Sequence, residues 1–150
     1  MRVIAAACVI VAGFTTNARA DWEYTKWGMT PEQVASASMG TVKLVPQRAR
    51  FINEDDGWEI AAKGKYSAGP LTLDVGFIFD VQTGGLKCAL YNANGAQATL
   101  LKETLTTRYG PPESRQSFIG AETLTWTKPD NIELTMGQKP VAAIVEHCAR

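Results

Sequence analysis

The chain is poor in side chains that do chemistry. Its 150 residues include one histidine, His147, and three cysteines. No nucleophile-elbow, zinc-protease, phosphate-loop or C-x-x-C pattern occurs. An enzymatic role therefore has few residues to draw on, and neither a cofactor nor a metal is expected. His147 adjoins Cys148, but neighbours on a strand point to opposite faces, so the two do not form a ready Cys–His pair. An excess of one charge is also missing, because 15 Lys and Arg balance 15 Asp and Glu. With no basic stripe, nucleic acid is not expected as the main partner. The acids of "NEDDG", residues 53–57, are adjacent and lack the alternating spacing of a calcium loop. Asp74 and Asp80 are six apart on one expected strand, roughly 20 Å when extended, too far for a glycosidase pair.

Long hydrophobic runs are scarce as well. The only one is Val3 to Phe14, behind Arg2, and it is too short to span a bilayer as a helix. Followed by Ala18-Arg19-Ala20, it reads as a signal peptide, residues 1–20, cleaved after Ala20. Cys8 has only seven residues before it and the apolar run continues past it, which argues against a lipid-bearing cysteine. Removing Arg2 and Arg19 from 15 basic residues leaves 13 against 15 acidic ones, a net charge of −2. Residues 21–150 then make one domain, long enough to bury a core and without a further run to cross a membrane. The expected location is periplasmic or secreted.

Two cysteines follow the leader, Cys88 and Cys148. They are either a bridge or two separate buried thiols. An oxidising compartment favours the bridge. It would close a loop of about 60 residues and add roughly 3–4 kcal/mol.

The segment "WEYTKWGMTPEQV", residues 22–34, combines three aromatics with a helix start. Trp22 and Tyr24 alternate as on a short strand. Thr30 is the expected N-cap, Pro31 sits at N1, and Gln33 at N3 completes a capping box. Met29 can staple onto Val34, and Glu32 suits the helix dipole. Gly40 is the expected stop, so the first helix spans about 31 to 39. A second helix, about 96 to 109, carries Leu100, Leu101, Leu105 and Tyr109 and ends at Gly110 before two prolines.

The remainder reads as strands. "TVKLVP" is brief, and "QRARFINEDDG" reads as a loop. Then Trp58, Ile60, Ala62, Gly64 and Tyr66 alternate on one face. Leu71, Leu73, Val75, Phe77 and Phe79 follow, and after a "DVQTGG" turn come Leu86, Cys88 and Leu90. Strands near 122–128, 131–136 and 141–148 complete the pattern. The expected fold is α+β: an antiparallel sheet of about seven or eight strands in two helix-plus-sheet halves, with both helices on one face. The other face would be polar, carrying Lys63, Lys65, Thr72, Asp74, Lys87, Tyr91, Thr123, Thr125 and Glu133.

"KWGMTPEQV" resembles the W-G-M-[ST]-x-x-[EQ]-V motif that opens many small exported bacterial proteins of unassigned function. Those proteins carry a later helix ending in [KR]-Y-G-x-P before a Trp-bearing strand, here "RYGPPESRQSFIGAETLTW". The G-M-T-x-x-Q-V core also resembles the small lipoprotein of the outer-membrane barrel-assembly machinery, and the layout is similar to the helix-plus-sheet repeats of the β-lactamase inhibitor protein. The lipoprotein's anchoring cysteine has no counterpart, since Asp21 stands at the expected mature start. The resemblance implies a fold; the motif itself is capping and packing chemistry.

Three functions are open at this point. The first is an envelope protein that binds another protein through the polar sheet face at Lys63, Lys65, Lys87, Tyr91 and Thr125. The second is a secreted hydrolase inhibitor acting through loops 47–57 or 92–95. The third is a small-ligand binder using Trp22, Tyr24 and Trp27. Trp58 and Trp126 are expected in the core.

Overall fold

The structure is a computed structural model and describes residues 21–150. The expected leader, residues 1–20, lies outside the described residues. The elements are α1 (Pro31–Ala37), β1 (Val42–Leu44), β2 (Phe51–Asn53), β3 (Trp58–Ala68), β4 (Leu71–Asp80), β5 (Leu86–Asn94), α2 (Ala96–Tyr109), β6 (Ser114–Phe118), β7 (Ala121–Trp126), β8 (Asn131–Gln138) and β9 (Val141–Cys148), with a 3₁₀ turn at Gln47–Ala49.

Helix α1 starts as its sequence dictates. The Thr30 side chain accepts from the Gln33 N–H, and the Gln33 side chain accepts from the Thr30 N–H. The helix ends at Ser38. Met39 and Gly40 both follow with positive φ, a backbone that glycine tolerates and other residues rarely adopt. Glu23 and Tyr24 form a turn rather than part of the expected strand, because the Trp22 carbonyl accepts from both the N–H and the hydroxyl of Thr25. Two strands come from stretches not assigned to them: β2 from the expected loop 47–57, and β6 from the polar segment after Pro112.

All strand pairings are antiparallel, in the order β1-β3-β4-β5-β9-β8-β7-β6, with β2 also on β3. The expected two halves are not separate. They merge into one open sheet through β5 and β9, which pair over seven positions from Cys88↔Cys148 to Asn94↔Ala142. A disulfide joins Cys88 to Cys148 across that seam, with the Cα atoms 4.0 Å apart. Both helices bury side chains in one cluster on one face: Val34 from α1, and Ala98, Leu101 and Leu105 from α2. They meet Leu73, Val75, Phe77, Phe79, Leu134 and Val145 from the sheet.

Two β-bulges decide which side chains reach that core. In β3, Ile60 pairs with Ile78 and Ala62 with Phe77, so Ala61 is the extra residue. In β5, Leu86 pairs with Phe79 and Cys88 with Ile78, so Lys87 is extra. Each extra residue reverses the alternation beyond it. Ala62, Gly64 and Tyr66 therefore face the helices, whereas Trp58 and Ile60 fall on the opposite, open face. Trp58 is thus not a core residue: it is half-buried against Phe51, with ring centroids 5.4 Å apart. Trp126 is in the core as expected. Leu86 faces inward, but Cys88 and Leu90 face out with the open side.

Candidate binding face

The open face contains most of the residues expected on it. Lys63, Lys65, Thr72, Asp74 and Glu133 are exposed there, with Thr123 and Thr125 half-exposed. Lys87 is exposed at the β5 bulge, with its Nζ 3.6 Å from Asp80 Oδ2. Asp80 also accepts from the Gln82 and Thr83 N–H groups, and the Thr83 contact holds its carboxyl below the ordinary range. Tyr91 is a correction. It pairs with Val75 and is buried at 3 % exposure on the helix-covered face, against Trp22. The β5 bulge changes the phase of the strand and turns Tyr91 inward. Burial pushes its phenol well above the ordinary value, so it stays neutral.

The aromatics of the opening segment are packed. Trp22 is 3 % exposed and its ring meets Tyr24, Tyr66, Phe77 and Tyr91 at centroid distances of 5.1 to 5.7 Å. The space left where Trp22, Tyr66, Tyr91 and Leu101 meet is about 30 Å³, far below the several hundred Å³ of a small-molecule pocket. Trp27 is half-buried and donates its Nε1–H to Asp130 Oδ1 at 3.2 Å.

Asp130 received no role from the sequence, yet it organises the covered side. Its Oδ2 lies 2.9 Å from His147 Nε2, and both side chains are sealed from solvent. The rings of Trp27, Tyr91 and Tyr109 pack around the imidazole. Burial holds the imidazole below its ordinary pKa, against the opposing pull of Asp130. His147 is therefore neutral at pH 7 and donates from Nε2, while Nδ1 is buried without a partner. An Asp–His pair can orient a nucleophile, but here the free nitrogen meets no hydroxyl or thiol. Cys148 points to the other face, as the alternation predicts, and both sulfurs are spent in the disulfide. A second link ties the N-terminal segment down: Glu23 accepts from Tyr66 Oη at 2.6 Å and from Arg108 Nη1 at 2.5 Å.

The open face is built differently. Its register sets one row of residues across six strands: Lys43 (β1), Lys63 (β3), Gly76 (β4), Leu90 (β5), Glu146 (β9) and Glu133 (β8). Lys43 and Lys63 are direct cross-strand neighbours, and so are Glu146 and Glu133. Like charges placed opposite each other are destabilising. All four are exposed, and none has an oppositely charged partner within 4.0 Å among the described residues. Between the charges the face is apolar, with Ile60, Leu90 and Cys148 half-buried and Ile144 exposed, while Ile78 and Cys88 are already buried at 7 and 8 % exposure. A depression of about 490 Å³ lies over Gly76, lined by Ile60, Lys63, Lys65, Leu90 and Asn92. The backbone does not require this glycine. A Cβ there would meet Ile60 at 3.5 Å and Lys63 at 3.9 Å, ordinary contacts.

Lys43 and Glu146 were not among the expected face residues. Period-two alternation in "TVKLV" and "VAAIVEH" carried the signal for both. The proposed inhibitor loops are largely absorbed into structure, as the 3₁₀ turn and β2 for 47–57 and as the end of β5 for 92–94. Among the described residues, no helix is long and apolar enough to cross a membrane. Comparison of the chain with protein-family models, with curated proteins and with solved structures finds no match to any of the three.

Proposed function

We propose that this chain is an exported, non-enzymatic protein-binding module of the cell envelope, and that its docking surface is the open face of the sheet. One observation carries this reading: two pairs of like charges, Lys43 with Lys63 and Glu146 with Glu133, stand side by side on a face that no described element covers. A fold gains nothing from such pairs. A partner with matching charges does, because it neutralises both and is steered to one register. The apolar strip between them supplies surface to bury, and the polar surround keeps that strip from being a large sticky patch. The disulfide suits an oxidising compartment. No cofactor enters this reading.

The test is site-specific photo-crosslinking in the envelope. A photoreactive side chain replaces Lys63 or Thr125 on the open face, or Glu103 on exposed α2 as a control. The expected result is one dominant protein adduct from the two face positions and none from Glu103. Silence at both face positions in folded protein, or equal labelling at all three, overturns the proposal.

A further inference from the structure

We infer that a second copy of this chain occupies the open face, stacked on it about a two-fold axis that runs parallel to the strands between β4 and β5. This rests on the reading of the open face as a docking surface and names its partner.

The charged row is self-complementary. Numbered across the sheet it reads Lys43, Lys63, Gly76, Leu90, Glu146, Glu133, with the axis falling between Gly76 and Leu90. Rotation about that axis lays Lys63 of one copy over Glu146 of the other, and Lys43 over Glu133. The same operation repeats each contact in reverse, as a two-fold interface requires. At about 4.8 Å per strand, Lys63 and Glu146 of one chain are roughly 14 Å apart, beyond the screening length of about 8 Å at physiological salt. They cannot satisfy each other within one molecule. Across stacked sheets they can.

Shape follows the same axis. Leu90 of one copy falls over Gly76 of the other, so a projecting side chain meets the depression that the missing Cβ leaves. In the row on one side, half-buried Ile60 falls over half-buried Cys148, while Ile78 and Cys88 are already buried in the single chain and add little to the contact. In the row on the other side, the stem of Lys65 covers Ile144, which is 53 % exposed in the single chain. Two twisted sheets stack about 10 Å apart with strands crossing near −30°, so the fit is best at the axis and loosens outward. The six strands of the row, which run in from the β1 edge of the sheet, offer about 500 Å² of flat face per copy, at the low end for a specific interface, so the dimer is weak and salt-sensitive.

The decisive experiment is sedimentation of the full chain, purified in whatever processed form the cells yield, up to about millimolar concentration at low and high salt. The variants are Lys63→Glu, Glu146→Lys, both together, and Gly76→Val. Circular dichroism confirms that each is folded. The expected result is a dimer whose dissociation constant rises at least tenfold with each single charge reversal and with Gly76→Val, and returns toward the original value in the double reversal. A monomer at every concentration overturns the proposal, and so does a dimer indifferent to the single reversals. If the chain is monomeric but Lys63 still crosslinks to a different envelope protein, the second copy is wrong and the docking face stands. If crosslinking also fails, both fall.

Discussion

The two faces of one sheet treat charge in opposite ways. On the covered face the buried carboxylates have their answers nearby. Asp130 accepts from both His147 and Trp27, and half-buried Glu59 is paired with Arg50 at 2.7 Å. On the open face Lys43 faces Lys63 and Glu146 faces Glu133. The strands are the same, so the difference does not come from the backbone. A face that must fold removes its electrostatic conflicts. A face that must meet something else can keep them.

Substitutions can break or sharpen this contrast. The largest effect is expected at Trp22, whose ring fills the covered side. Trp22→Ala should lower the unfolding free energy by about 4 kcal/mol in urea titration. A loss under 1 kcal/mol would return the opening aromatics to the list of binding candidates.

A smaller effect is expected from pH. Burial lowers the folded pKa of His147, so the unfolded chain takes up its proton first as pH falls. That contribution to stability is complete above the unfolded value of about 6.5 and is lost as pH drops below it. The urea midpoint should decline between pH 7.5 and 5.5. In His147→Gln, the decline over that interval should vanish. An unchanged pH dependence in the variant would remove His147 from the covered-face network.

The smallest effect is expected on the open face. Lys63→Ala relieves a like-charge neighbour and should change the stability of the single chain by no more than about 0.5 kcal/mol, in the stabilising direction. Dilute protein at low salt keeps association out of that measurement without screening the repulsion. A loss above 1 kcal/mol would mean that Lys63 serves the fold after all.

The elements were largely legible in the sequence, but the faces were less so. Helix α1 could be placed because Thr30, Pro31 and Gln33 each carry a local signal. Helix α2 ended where Gly110 and two prolines forbid continuation. Sheet phase failed at two single residues, Ala61 and Lys87, where bulges reverse the alternation and carry Trp58 outward and Tyr91 inward. No local feature of "EIAAKG" or "GLKCAL" announces a bulge. The candidate site was half legible. Lys63, Lys65, Thr125 and Glu133 follow from alternation alone. Their alignment with Leu90 and Glu146 needs the pairing of β5 with β9, whose partners lie 48 to 60 positions apart, and no short-range signal encodes it. Asp130 escaped for a similar reason, since its role exists only once β8 and β9 bring it to His147.

The position of β9 also has a consequence for assembly. It comes last in chain order among the described elements, yet it sits in the middle of the sheet, flanked by β5 and β8. Until it arrives, the strands β1 to β5 end in one raw edge and the strands β6 to β8 in another, each ready to pair with the wrong chain. The molecule therefore closes like a keystone arch: nothing before the final segment locks the sheet, and delivery of that segment locks it all at once.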